Sequence, residues 1–131
     1  MRIIMKKYLF VSALSISLSC FASMHSNRIE GKYACAGHEV GTHDVFKCEM
    51  TIKPTGETYA STANCSDGNA YTGTGIYDKN SHQLSTVFIN PKKSDETGVS
   101  VAHVKADGSI VAEWTYINKT SIAHSKCTKK N

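Results

Sequence analysis

Residues 45–53 read Val45-Phe46-Lys47-Cys48-Glu49-Met50-Thr51-Ile52-Lys53 and alternate without a break from Phe46 onward. Phe46, Cys48, Met50 and Ile52 fall on one side; Lys47, Glu49, Thr51 and Lys53 fall on the other. In an extended chain successive side chains point to opposite faces, so this segment is a strand with one dry and one wet face. Nowhere beyond residue 22 do apolar residues recur at i, i+3, i+4 and i+7 over a useful length, so helices are not expected there.

Working outward, the same pattern repeats between turn signals. Lys32 to His38 precedes this strand, and Pro54-Thr55-Gly56 turns the chain into Thr58 to Cys65. Asp67-Gly68 is a hairpin signal, because glycine accepts the positive φ that tight turns need. Ala70 to Tyr77 and Gln83 to Asn90 follow, separated by a turn at Asp78 to Ser81. A longer polar loop is expected over Pro91 to Gly98, then strands at Val99 to Lys105, Ser109 to Ile117 and Ser121 to Thr128. Asp107-Gly108 is the second strong hairpin signal. Eight short strands joined by short turns predict an all-β fold. Consecutive hairpins favour an up-and-down meander, and closing it removes the exposed edges that invite aggregation. The expected architecture is an eight-stranded antiparallel barrel closed by two disulfides.

The chain has 131 residues, a formal charge of +4 and five cysteines. Residues 1–22 read as an export signal: Arg2, Lys6 and Lys7 precede a mostly apolar run, and Cys20-Phe21-Ala22 places small residues at −3 and −1. The apolar run is shorter than the ~20 residues a membrane span needs. Acylation at Cys20 is the alternative, and Ser17 stands where a lipoprotein signal favours leucine. Cleavage after Ala22 leaves one domain over residues 23–131. It removes three of the fifteen basic residues and no acidic one, so the charge falls from +4 to +1. A near-neutral chain gives no electrostatic case for nucleic-acid binding.

Cys35, Cys48, Cys65 and Cys127 remain, an even number in a small exported chain, which reads as two disulfides. Their spacings fit no familiar zinc framework. In a closed meander the first and last strands are neighbours, so Cys35 pairs with Cys127. The second and third strands form a hairpin, so Cys48 pairs with Cys65, and Cys65 faces inward with Tyr59, Ser61 and Ala63. A Cys35–Cys48 bond would contradict that pairing and, on this reading, the closure as well.

Catalytic constellations are not expected. Asp95-Glu96 is the adjacent carboxylate pair, and beside Lys92 and Lys93 it reads as a solvated loop tip. Bridged cysteines are not nucleophiles, and no G-x-S-x-G elbow occurs. Gly73-Thr74-Gly75 lacks the further glycines and helix of a phosphate loop; on a strand it marks a bend or close backbone approach. His38, His43, His82, His103 and His124 are scattered and read as surface residues. Cleavage after Ala22 would place His25 third from a free amine, where amine, amides and imidazole could hold Cu(II) or Ni(II) in a square plane. No other metal and no cofactor is expected.

Aromatic residues bear on the interior. Tyr33, Phe46, Tyr59, Tyr71, Phe88, Trp114 and Tyr116 all fall on expected strands, and Ile110, Ala112, Trp114 and Tyr116 share a face. An eight-stranded interior is wide enough to be filled by side chains or to hold one small ligand, and both readings stand at this point.

Gly31-Lys32-Tyr33, the meander and the tryptophan in the seventh strand resemble a reduced avidin or calycin-type barrel. Tyr33 replaces the usual tryptophan and no biotin-binding position is matched, so no ligand is implied. The chain is also similar to small exported proteins of Gram-negative bacteria, some loosely labelled fibronectin-binding. The shared residues are Gly31-x-Tyr33-x-Cys35-x-Gly37, Gly73-Thr74-Gly75-Ile76-Tyr77, Asn90-Pro91-Lys92-Lys93, Asp107-Gly108, Trp114-Thr115-Tyr116 and Cys127-Thr128-Lys129. The tyrosine–cysteine opening is also similar to periplasmic lysozyme inhibitors of the C-type class, without their Ser-Gly motif.

The expectation is therefore a periplasmic or secreted monomer that binds and does not transform. Its partner would be a host or envelope protein met through barrel loops, with Pro91, Lys92, Lys93, Asp95, Trp114 and Tyr116 as contact residues. The alternatives are a small molecule or lipid inside the barrel, and a lysozyme-inhibitor-like role.

Overall fold

The computed structural model describes residues 28–131. The export signal, Cys20 and the metal-binding reading of His25 lie outside the described residues.

Eight strands follow in order: β1 (Gly31–His38), β2 (Val45–Thr55), β3 (Thr58–Cys65), β4 (Ala70–Asp78), β5 (Gln83–Asn90), β6 (Lys93–Val104), β7 (Ile110–Tyr116) and β8 (Ala123–Lys129). Each pairs antiparallel with the next, and β1 closes on β8 through the register Tyr33↔Lys129 to Gly37↔Ser125. Asp67-Gly68 and Asp107-Gly108 make the turns expected of them. Both glycines have positive φ, and each aspartate Oδ1 accepts the backbone N–H two residues on, at 2.9 Å. Among the described residues no helix is long and apolar enough to cross a membrane.

The disulfides are Cys35–Cys127 and Cys48–Cys65. All four cysteines lie in one row across β8, β1, β2 and β3, because Cys35 is in register with both Cys127 and Cys48, and Cys48 with Cys65. That corrects one expectation. The β1–β8 ladder closes the barrel by its own hydrogen bonds, so closure does not depend on which neighbour Cys35 bonds.

A second correction concerns Pro91 to Gly98. Pro91-Lys92 alone form the connection, and Lys93 to Gly98 belong to β6. Asn90 pairs with Lys93 while the preceding Ile89 pairs with Thr97, so Ser94, Asp95 and Glu96 are extra residues in a bulge. Thr97 Oγ1 donates to the Ser94 carbonyl at 2.7 Å within it. The polar run hides a strand because its bulged residues have no ladder partner and show no alternation, so only the pairing of Lys93 with Asn90 and Thr97 with Ile89 reveals it.

The core sits toward one end. Ile29, Tyr33, Ile52 and Ile110 are each 1% exposed there. Tyr33 Oη–H donates to the Ile29 carbonyl at 2.7 Å, fixing the residues before β1 across the barrel end. Lys129 Nζ donates to the Arg28 carbonyl at 2.8 Å and lies over the Tyr33 ring. This end is closed.

Candidate functional site

The opposite end is not filled. A cavity of about 160 Å³ runs up from Ile52, Leu84 and Ile110 to Glu39 and Asp67 at the mouth. It exists because inward positions at mid-depth carry small side chains. Ala102, Ala112 and Ser125 are in register on β6, β7 and β8, and Ser61 and Ala63 face them from β3. Leucine or phenylalanine there would fill the barrel to ordinary packing density.

Above this belt the wall is aromatic. Trp114 meets Phe46, Phe88 and Tyr116 edge-on, with centroids 5.7, 6.0 and 5.3 Å apart. Phe88 also meets Tyr71 at 5.9 Å and Tyr116 at 6.1 Å in the same geometry. Edge-to-face packing suits the positive rim and negative face of each ring. Two glycines make room for it. Phe46 is in register with Gly37 and Phe88 with Gly98, and a Cβ on Gly98 would stand 2.6 Å from the Phe88 ring and 2.2 Å from the Thr115 carbonyl. Gly73 and Gly75 give Thr86 and Leu84 the close approach expected of their motif.

A polar network ties the mouth together. Tyr71 Oη–H donates to Glu96 Oε2 at 2.6 Å, and its oxygen lies 3.2 Å from Tyr116 Oη. Asn90, 2% exposed, donates through Nδ2 to the same Glu96 oxygen at 3.1 Å and to Asn69 Oδ1 at 3.3 Å. Lys93 Nζ also reaches Asn69 Oδ1 at 3.3 Å and lies 3.7 Å from Glu96. Burial alone would raise the Glu96 carboxyl, but the Tyr71 and Asn90 donors, with Lys93, outweigh it and hold it below the usual range. Burial, then the hydrogen bonds to Glu96 and Tyr116, push the Tyr71 phenol far up. Glu39 is raised by burial first and then by the carboxylates of Asp67, Glu96 and Asp44.

The sequence-expected residues divide. Trp114 and Tyr116 line the cavity. Lys93 joins the mouth network by its head group. Pro91, Lys92 and Asp95 are exposed on the rim and its bulge, outside the lining, and the structure does not bring them to Trp114. Glu96 is half-buried in the network, which corrects its reading as half of a solvated loop tip. Glu39 had no motif to mark it, while Asp67 was marked only as a turn residue and Asn90 only within the shared Asn90-Pro91-Lys92-Lys93 pattern. Among the described residues no group of three or more His, Cys, Asp or Glu could hold a metal ion.

Fold and site together define a disulfide-bonded, closed eight-stranded meander barrel with an interior cavity open at one end. No protein-family model matches the chain, and no curated protein does. Among solved structures it is similar to a redesigned β-barrel, mFAP0, bound to DFHBI, with 11% sequence identity and a TM-score of 0.55 over 78% of this chain and 98% of that chain. At that identity the likeness is one of fold.

Proposed function

We propose that the protein is an exported, non-enzymatic binding protein whose ligand is a small, largely apolar molecule held inside the barrel. The observation that carries this is the aromatic-walled cavity open at one end. Its volume sets the scale. Drug-sized ligands occupy pockets of about 300–1,000 Å³, whereas a dry apolar cavity of about 150 Å³ takes one benzene-sized molecule. The ligand is therefore a single-ring compound or a short branched chain, and a full lipid tail does not fit. The redesigned barrel bound to DFHBI supports the fold's suitability for such a role. Two disulfides agree with an oxidising compartment.

Trp114 is the one tryptophan of the chain and stands in the cavity wall, so its fluorescence reads occupancy directly. Titration with a neutral probe, 2-phenylethanol, shifts its emission and raises Tm, and Ala112→Leu, which fills the belt of small residues, abolishes both effects. A wild-type protein whose emission and Tm stay unchanged at millimolar probe sinks the proposal.

The rim supports a second reading. Pro91, Lys92 and Asp95 stand together and exposed at the β5–β6 connection and bulge, a surface suited to a host or envelope protein. Reversing the charges of Lys92 and Asp95 would weaken such capture and leave probe binding intact.

A further inference from the structure

The charges around the mouth narrow the ligand class, an inference that rests on the cavity being the binding site. Two carboxylates, Glu39 and Asp67, line the cavity, and no lysine, arginine or histidine among the described residues does. Asp67 is fixed by its own turn, accepting the Asn69 backbone N–H and Nδ2–H at 2.9 Å each. A carboxylate has about four acceptor sites, so capacity remains for a ligand. Glu39 opens the β1–β2 connection, its backbone N–H held by the Asp44 carbonyl at 2.9 Å. Glu96 stands behind the Tyr71 hydroxyl, and Lys93, the nearby cation, is engaged with Glu96 and Asn69 outside the lining.

The electrostatics at Glu39 agree with this geometry: every charge that perturbs it is another carboxylate. Lys92 and Lys119 stand on connections at the same end, and Lys93, which opens β6 there, acts on Asp67. The two charges that line the opening itself are both negative, and low-dielectric walls focus their potential into it. Below the rim the wall carries Trp114, Phe88, Tyr71 and Tyr116, and an aromatic face attracts a cation. An anion entering here meets repulsion from Glu39 and Asp67 with no cationic partner in the wall. A neutral ligand gains only the apolar contacts.

We infer that the cavity takes a small arylalkylamine in its ammonium form, the ring seated against Trp114 and Phe88 and the charged head between Glu39 and Asp67. Ring and cation contribute separately: the ring fills a space of about 160 Å³, and the head adds contact with the two carboxylates that line its exit.

The test is a charge series on one skeleton: 2-phenylethylamine, 2-phenylethanol and phenylacetate, titrated at pH 7 and followed by calorimetry and Trp114 emission. The amine binds about tenfold tighter than the alcohol, and the carboxylate binds weakest. Glu39→Gln combined with Asp67→Asn lowers amine affinity far more than alcohol affinity, collapsing the preference. Alcohol binding as tight as the amine, or a preference that survives the double variant, overturns the cation inference while leaving the cavity reading standing. If none of the three binds, both fall together.

Discussion

Cys35 and Cys48 stand directly opposite each other across the β1–β2 ladder, and each is bonded to a different cysteine. The row Cys127, Cys35, Cys48, Cys65 therefore has an alternative neighbour pairing in its middle. Freeing Cys35 places a thiol beside an intact disulfide, the arrangement that thiol–disulfide exchange needs. In Cys127→Ser, attack of the Cys35 thiolate on Cys48 forms Cys35–Cys48 and releases Cys65 as the leaving thiolate. Mapping of alkylated, non-reduced peptides after incubation at pH 8 should recover that bond together with alkylated Cys65. Recovery of Cys48–Cys65 alone, with Cys35 fully alkylated, counts against exchange along the row.

The two bridges differ in what they constrain. Cys35–Cys127 spans 92 positions and Cys48–Cys65 spans 17. In the chain-entropy account those loops correspond to about 4.6 and about 3 kcal/mol. Replacing Cys35 and Cys127 by alanine should cost about 1.5 kcal/mol more than replacing Cys48 and Cys65. Urea unfolding of the two double variants checks this. Equal losses would show that residual contacts already confine the unfolded chain, or that native-state terms dominate.

Much of the barrel was legible because its signals are local. Phe46, Cys48, Met50 and Ile52 alternate, Asp-Gly pairs mark turns, and closure then dictates which cysteines meet. The β6 bulge was not legible, because Lys93 to Glu96 show no alternation and their pairing depends on Asn90 and Thr97 across the hairpin. The cavity was half legible. Trp114 and Tyr116 read as inward, but whether an inward tryptophan packs or lines a space depends on Ala102, Ala112 and Ser125. Those three are distant in sequence, and only the register of three strands makes them adjacent. Glu39 and Asp67 converge through two different connections, a relationship that no single stretch of sequence contains.

Gly98 holds the aromatic wall in place by having no side chain. Alanine there meets both the Phe88 ring and the Thr115 carbonyl at distances that real Cβ atoms do not adopt. The ring can rotate away, but the carbonyl belongs to the neighbouring strand. Gly98→Ala should cost about 2–3 kcal/mol, as overpacked sites do. Adding Phe88→Leu should recover only part of it. Denaturation of the two variants measures the partition, and full recovery would place the whole conflict on the ring.

Glu96 links stability to acid. Its folded pKa lies below the ordinary value of 4.5, so its contribution is complete above that pH and is lost as pH falls through the lowered value. Glu96→Gln keeps the shape and removes the charge that Tyr71, Asn90 and Lys93 favour. The variant should be about 1.5–2 kcal/mol less stable at pH 7, the lower part of the scale of hydrogen bonds to a charged group. The gap should narrow on acidification below 4.5. A gap constant from pH 7 to pH 3 would mean that shape, not charge, sets the cost.

Glu39 works with the opposite sign. Burial and three neighbouring carboxylates raise its pKa, so the folded state resists its ionisation. That penalty is absent below the unfolded value of 4.5, appears as pH rises, and is complete above the raised folded pKa. Glu39→Gln should therefore stabilise the barrel at pH 7 by under about 1 kcal/mol, given partial screening at the mouth. The gain should disappear below pH 4.5, where both side chains are neutral. The same substitution weakens arylalkylamine binding if the carboxylate meets the ammonium head. Stability and affinity thus move in opposite directions for one change, the pattern of a residue kept in an unfavourable place because a ligand uses it. Thermal unfolding across pH 3–8, run beside amine titrations of the same variant, reads both effects. A Glu39→Gln variant no more stable than wild type at pH 7 would remove the like-charge account of the mouth.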